Sequence, residues 1–255
     1  MSKLKFTLLK PLLPGLMLLF SPAWASGSEA GIQPEAADLL KKATSYLAGL
    51  QKFSLETHNT IEVVLENGQK IQFDRANVAT VQRPNKLHSR RIGDLADDEF
   101  FYNGETLTLH YPESGYYAMV EAPDTLEGML DFARQSLDIV APAGDFIYSN
   151  AFEILMEDVE SAFVVDAPAF VEGAVCDHLA FSAPDTDFQV WIQRGDQPLL
   201  RKLVITSRDV LSAPQFTVNV RNWDLNPDVS PERFTARPAA DATRIEFLFI
   251  EQGGN

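Results

Sequence analysis

Between Phe53 and Glu66 the chain alternates strictly. Phe53, Leu55, Thr57, Asn59, Ile61, Val63 and Leu65 fall on one side of a two-residue period, and Ser54, Glu56, His58, Thr60, Glu62, Val64 and Glu66 on the other. A mostly apolar set facing a mostly polar one at this period predicts a strand with one face buried. Asn67-Gly68 follows, the dipeptide best suited to a tight hairpin, and Ile71 and Phe73 resume the pattern on a returning strand. The unit recurs. Phe100-Phe101-Tyr102 runs into Asn103-Gly104, Leu107, Leu109 and Tyr111 then alternate with Thr106, Thr108 and His110, and Pro112-Glu113-Ser114-Gly115 turns the chain into residues 116–120. Strands are predicted again at 162–166, 175–181, 188–193, 199–207 and 216–223, joined by Glu172-Gly173, Arg194-Gly195-Asp196 and Ser212-Ala213-Pro214. The pattern is that of an antiparallel meander.

Helical spacing interrupts it in three places. Pro34 suits a first helical turn, and Ala37, Leu40, Ala43, Leu47, Ala48 and Leu50 predict a helix over 35–50. Asp124, with Glu127 three residues on, resembles a capping box; Leu126, Met129, Leu130, Ala133, Leu137 and Val140 then form an apolar stripe that stops before Pro142. A weaker helical stretch covers 151–158. The elements together describe a mostly β protein with α (α+β), a long curved sheet carrying one helical insertion.

The chain's start changes the picture of where this sheet operates. Lys3, Lys5 and Lys10 lead into an apolar run from Pro11 to Phe20, and Ala23-Trp24-Ala25 supplies the small-x-small pattern cut by a signal peptidase. Cleavage after Ala25 is expected, with residues 1–25 a signal peptide, 26–33 a flexible polar tether and 34–255 a single domain in the periplasm. The apolar run is short for a bilayer span, and Cys176 is far from the cleavage site, so no stable membrane anchor is expected. About 230 residues remain, enough for a substantial core in one sheet-based domain. Loss of the three leader lysines takes the formal charge from −15 to −18. Such an acidic surface disfavours nucleic acid and anionic headgroups at long range. A single cysteine excludes an internal disulfide.

Three segments carry a resemblance: Gly173-Ala174-Val175-Cys176-Asp177-His178-Leu179-Ala180-Phe181, Phe188-Gln189-Val190-Trp191-Ile192, and Pro198-Leu199-Leu200-Arg201-Lys202-Leu203-Val204-Ile205-Thr206, supported by Trp223 and Phe234-Thr235-Ala236-Arg237-Pro238. With the order helix, meander, helical insertion, meander, the chain resembles an uncharacterised family of predicted periplasmic proteins, a domain of unknown function related to the LolA/LolB-like lipoprotein carriers. The resemblance covers most of the mature chain. It implies a LolA-like half-barrel, and it brings no catalytic motif with it.

The side chains offer little chemistry. Cys176 and His178 would share a strand face, but Asp177 points away and cannot orient the imidazole as a third triad member. His58, His88, His110 and His178 lie on different predicted strands with no close-spaced ligand pair, so no metal site is expected. Asp94, Asp97, Asp98 and Glu99 read as solvated charge in a turn, as do Asp185 and Asp187. There is no phosphate-cradling glycine loop, no G-x-S-x-G elbow and no basic stripe with interleaved aromatics. No cofactor and no nucleic-acid partner are expected.

What remains is the interior. An open curved sheet needs its concave face covered, and the helix beginning at Leu126 is the available cover; incomplete covering leaves a cleft. Its expected lining is Phe53, Leu55, Ile61, Val63, Phe188, Val190 and Ile192 from strands and Leu126, Met129, Leu130, Ala133 and Leu137 from the helical lid, although the same residues would equally fill a solid core. The expected function is non-enzymatic binding of a hydrophobic group, an acyl chain, lipid or lipidated protein. The alternative is a sensory or scaffolding protein binding another envelope protein, and a hydrolase is third.

Overall fold

The structure is a computed structural model that describes residues 31–94, 96–139, 141 and 143–249. The expected signal peptide and the first residues of the tether lie outside these, as does Val140. The tether's end is not loose. Ile32 bridges to Ala162, and the Gln33 amide donates to the Ala162 carbonyl at 2.8 Å.

The helix α1 (Pro34–Gly49) opens on a proline, which loses no hydrogen bond at a first-turn position. Then comes a meander: β1 (Lys52–Val64), β2 (Lys70–Gln82), β3 (Lys86–Gly93), β4 (Ala96–Tyr102), β5 (Thr106–Tyr111) and β6 (Tyr116–Glu121). Asn67-Gly68 closes the first hairpin with Gly68 at φ 81°, and the Asn67 side chain accepts from the Gln69 amide. The chain then leaves the sheet for α2 (Leu126–Leu137), a 3-10 turn at Gly144–Ile147 and the short α3 (Ala151–Met156). It re-enters with β7 (Ser161–Val164), β8 (Ala169–Val171), β9 (Ala174–Ser182), β10 (Thr186–Gln193), β11 (Leu200–Ser207) and β12 (Gln215–Asp224), and β13 (Thr243–Ile245) ends the sheet.

Pairing of β12 with β1 fuses the two meanders into one 13-stranded sheet, ordered β13-β6-β5-β4-β3-β2-β1-β12-β11-β10-β9-β7 with β8 beside β9. Every pairing is antiparallel except β13 on β6. The sheet does not close. This is the mostly β, open and curved class expected from the sequence, with an N-terminal helix and a helical insertion.

Two hydrophobic clusters divide the concave side between them. One joins Leu40, Ala43 and Leu47 of α1 to Leu179, Phe181, Val190, Ile192, Leu203, Val218 and Val220. The other joins Leu126, Met129, Leu130, Ala133 and Leu137 of α2 to Phe53, Val81, Leu87, Phe100, Tyr102, Leu107 and Leu109. Leu50, Leu55, Trp223 and Leu225 touch both clusters and mark the seam.

Four readings need correction. The cap of α2 is Thr125, not Asp124: its hydroxyl accepts from the Gly128 amide at 3.1 Å, and Glu127 instead accepts from the Ser149 amide. The helix ends at Leu137, because Asp138 turns left-handed at φ 56° and the Ile139 amide returns to the Ala133 carbonyl. Asp97, Asp98 and Glu99 are not turn charge but lie within β4, facing Ile92, Arg91 and Arg90 across the ladder. Val63 does not reach the interior; it sits near the end of β1 at 37% exposure.

Candidate ligand-binding site

At the seam lies a cavity of about 160 Å³. Its walls are built by the register of the sheet, which lines up inward side chains in rows running across the strands. Phe53, Val81, Leu87 and Tyr102 make one row; Trp223, Leu55, Ala79, Ser89 and Phe100 make the next. Moving two residues further along β1, the row becomes Val220, Thr57, Asn77, Arg91 and Asp98, and the one after it Val218, Asn59, Arg75 and Gly93. Rows two residues apart are separated by about 7 Å. The concave face therefore passes from apolar to polar over a short distance, and the cavity touches both ends, with Phe53, Leu55, Ala79 and Phe100 at one and Thr57, Asn59, Arg75, Asn77 and Arg91 at the other.

The roof is helical. Leu130 and Ala133 of α2, Leu47 of α1, and Phe146 and Ile147 of the 3-10 turn close the space from above. Polar ties hold this roof down. The Tyr102 hydroxyl bonds to the Pro123 carbonyl and, at 3.2 Å, to the Thr125 carbonyl, while the Leu126 amide donates to Pro84. Burial, with Asp124 nearby, pushes the Tyr102 phenol up to about 12, so it stays a donor at any physiological pH. At the other end the Tyr148 hydroxyl donates to Asp131 at 2.8 Å, Arg134 joins Asp131 to Asp145, and Arg83 donates to the Ile147 carbonyl at 2.6 Å. Gly128 is needed where α2 starts, since a Cβ there would lie 2.9 Å from both the Pro123 Cβ and the Thr125 hydroxyl.

The polar end carries the unusual electrostatics. Arg91 is neutralised by a two-pronged bond to Asp98, at 2.7 and 3.0 Å, and Asp98 is only 5% exposed. The Ser89 hydroxyl donates to Asn77 at 2.7 Å. Their neighbours are not so provided for. Thr57 Oγ1, Asn59 Oδ1 and Arg75 Nε are buried with no hydrogen-bond partner among the described residues. Arg75 lies over the Phe216 ring at 5.8 Å, and burial together with nearby Arg91 holds its guanidinium below the usual range.

Two further clefts adjoin the roof. One of about 350 Å³ is lined by Phe146, Ile154, Leu155, Phe188, Leu203 and Ile205 among others. The second, of about 330 Å³, shares Leu130, Ile139, Ala141, Ala143, Gly144 and Phe216 with the central cavity. Of the twelve expected lining residues, Phe53, Leu55, Leu130 and Ala133 border the central cavity, Phe188 the first cleft and Ile61 the second. Leu126, Met129, Leu137, Val190 and Ile192 border none of the three and are packed in the two clusters, and Val63 is exposed near the end of β1. The polar lining was missed altogether. A signal for it existed, since Arg75, Asn77, Ser89 and Arg91 keep the two-residue period on β2 and β3 while their outward neighbours Val78 and Ile92 are apolar and exposed.

Cys176, Asp177 and His178 do not converge. The buried thiol bonds to the Ala174 carbonyl and is pushed up by burial; Asp177 pairs with Arg194 at 2.6 Å; the His178 ring stacks on Trp191 at 4.0 Å and meets Gln189. Asp187 pairs with Arg208 at 3.1 Å. Among the described residues no group of three or more His, Cys, Asp or Glu side chains is placed to hold a metal ion, and no helix is long and apolar enough to cross a membrane.

An open, almost wholly antiparallel sheet curved about a roofed, mostly apolar cavity defines a β half-barrel with an internal cavity. The chain belongs to the DUF2092 family, described as predicted periplasmic proteins, whose model matches residues 36–248. No sequence among the curated proteins matches it. Solved structures similar to it include LprF from Mycobacterium bovis, at 13% identity, covering 80% of this chain and 100% of that one with a TM-score of 0.49. The Mycobacterium tuberculosis lipoprotein LppX is 12% identical over 78% of this chain and 100% of its own, with a TM-score of 0.44. The LolA superfamily protein NE2245 from Nitrosomonas europaea is 12% identical over 79% and 97%, with a TM-score of 0.34.

Proposed function

We propose that this protein is an exported, periplasmic, non-enzymatic carrier or receptor for a hydrophobic group, held between the concave sheet and the roof formed by α2. One observation carries the reading: a cavity of about 160 Å³ persists where two hydrophobic clusters meet, instead of the interdigitated packing usual for a core. A space of this size, apolar at the Phe53 and Phe100 end, accepts a ring of about six carbons there. A longer chain must run on into the adjoining cleft that shares Leu130, Ile139 and Phe216, or lift α2. The lipid-carrier class implied by the sequence resemblance agrees with this use. Export rests on the leader, with cleavage after Ala25.

Native mass spectrometry of the protein purified from its own envelope tests the binding. A retained lipid-sized adduct supports it. Bare protein that also takes up no fluorescent acyl probe at micromolar concentration defeats it, and a co-purifying polypeptide in place of a lipid would shift the assignment to an envelope scaffold.

A further inference from the structure

Apolar volume alone does not account for Arg75. A guanidinium held half-buried on a central strand, with no salt bridge among the described residues and only the longer-range attraction of Asp98 to offset burial and Arg91, is an under-compensated charge in a place where burial is costly. The neighbouring Arg91 shows what full compensation looks like in the same row system, with Asp98 on two of its nitrogens. Around Arg75 the unmet capacity accumulates. Asn59, its cross-strand partner, is 7% exposed with its side-chain oxygen unpaired, and Thr57, one row away, is 7% exposed with its hydroxyl unpaired. Opposite Arg75 on β3 stands Gly93, where a Cβ would come within 2.3 Å of the Asp74 carbonyl, so the residue directly across the ladder contributes no side chain beside the guanidinium.

Building on the apolar-ligand reading, we infer that the cavity takes an amphiphile with a single anionic head, a carboxylate or a phosphate, bound by Arg75, Asn59 and Thr57 with the tail along Leu55 and Phe53. The chemistry of the donors fits. The guanidinium supplies planar, charge-assisted bonds to an oxyanion, the hydroxyl can donate another, and the Asn59 amide presents its NH2 after a half-turn of the side chain. The direction of the tail follows from the rows, since the two rows on the Phe53 side of Thr57 hold the apolar wall and the Leu130 and Ala133 side chains roof it. A neutral lipid would leave the half-buried cation without a salt bridge, as it is without a ligand.

The experiment compares dodecanoate, dodecyl phosphate and dodecanol for displacement of a fluorescent acyl probe, in the wild-type protein and in Arg75→Gln. In the wild type either acid should bind at least ten times more tightly than the alcohol, and the tighter acid identifies the head. In Arg75→Gln that advantage should vanish while dodecanol binds as before, and the melting temperature should hold or rise because a half-buried charge without a salt bridge has been removed. Equal affinities for acid and alcohol in the wild type overturn the anionic head while leaving the apolar cavity standing. A parallel loss of all three ligands with a lowered melting temperature in Arg75→Gln also overturns it, showing Arg75 to be a structural residue. Binding of none of the three by wild type defeats the cavity reading and this inference with it.

Discussion

Replacing Ala133 by leucine separates a ligand cavity from a solid core by the sign of its effect on stability. Ala133 lies on α2, is 2% exposed, and borders the central space. That space is about 160 Å³. Leucine adds three carbons, roughly half of the six-carbon ring that a space of this size accommodates. At ~0.8 kcal/mol per buried carbon the gain is about 2.4 kcal/mol, and ordering the side chain returns about 0.5–1 kcal/mol of it. Leucine is also close to alanine in helix propensity, so the helix itself is little disturbed. The net expectation is a stabilisation of about 1.5–2 kcal/mol, a rise in melting temperature of about 3–7 °C for a chain of this length. Acyl-probe affinity should fall at least tenfold, because the volume is taken. Were the interior solid, the same three carbons would overpack it and cost about 1–3 kcal/mol. Thermal unfolding with a parallel probe titration decides between them; a lowered melting temperature with unchanged probe binding would refute the reasoning.

Met129 borders no cavity and is wholly buried, so Met129→Asp should unfold the protein through an unpaired buried carboxylate, seen as loss of the far-ultraviolet β signal, while Met129→Leu is tolerated. Tyr102→Phe removes the donor to the Pro123 and Thr125 carbonyls and should cost about 1–3 kcal/mol in denaturant unfolding, with faster amide exchange confined to the start of α2. Burial pushes His88 and His178 below the usual imidazole range, so the unfolded chain binds protons first. Their contribution is complete above pH about 6.5 and is lost as the pH falls through that value towards the lowered folded pKa values, so melting temperature should drop from pH 8 to pH 5 and drop less in a His88→Gln, His178→Gln double variant.

The sheet was legible wherever its inward face is apolar. Phe53, Leu55 and Ile61 on β1, Val190 and Ile192 on β10, and Val218 and Val220 on β12 follow the period of two because each packs into one of the two clusters or borders a cavity. β3 and the second half of β2 were not legible, for a physical reason. There the inward positions are Arg75, Asn77, Ser89 and Arg91, and the outward ones include exposed Val78 and Ile92, so the hydrophobic pattern is inverted. The run Asp97-Asp98-Glu99 looked like a turn for a related cause: its charges are matched not by solvent but by Arg90 and Arg91 across the ladder, a compensation invisible until β3 is paired with β4. β13 spans three residues and pairs parallel at an edge, too short to show a period. The segment where pattern reading failed is therefore the segment that lines the polar end of the cavity, as expected when local rules yield to a site.

The charge distribution gives that inversion a use. The chain carries a formal −15, yet the polar end of its interior holds Arg75, which among the described residues makes no salt bridge and feels Asp98, already bonded to Arg91, only at longer range. Outside, the acidic field repels small anions, and salt screens it beyond about 8 Å at physiological strength. Within the half-buried cavity a contact to Arg75 acts at short range in a lower dielectric than bulk water and is screened less. A bare anion meets the repulsion and gains nothing from Phe53, Leu55 or Phe100. An acyl chain gains about 0.8 kcal/mol for every methylene it buries against those rows, enough over a few carbons to offset the weak long-range repulsion before its head reaches the guanidinium. The acidic surface and the half-buried arginine thus act in series, admitting an anion only when it arrives attached to a tail.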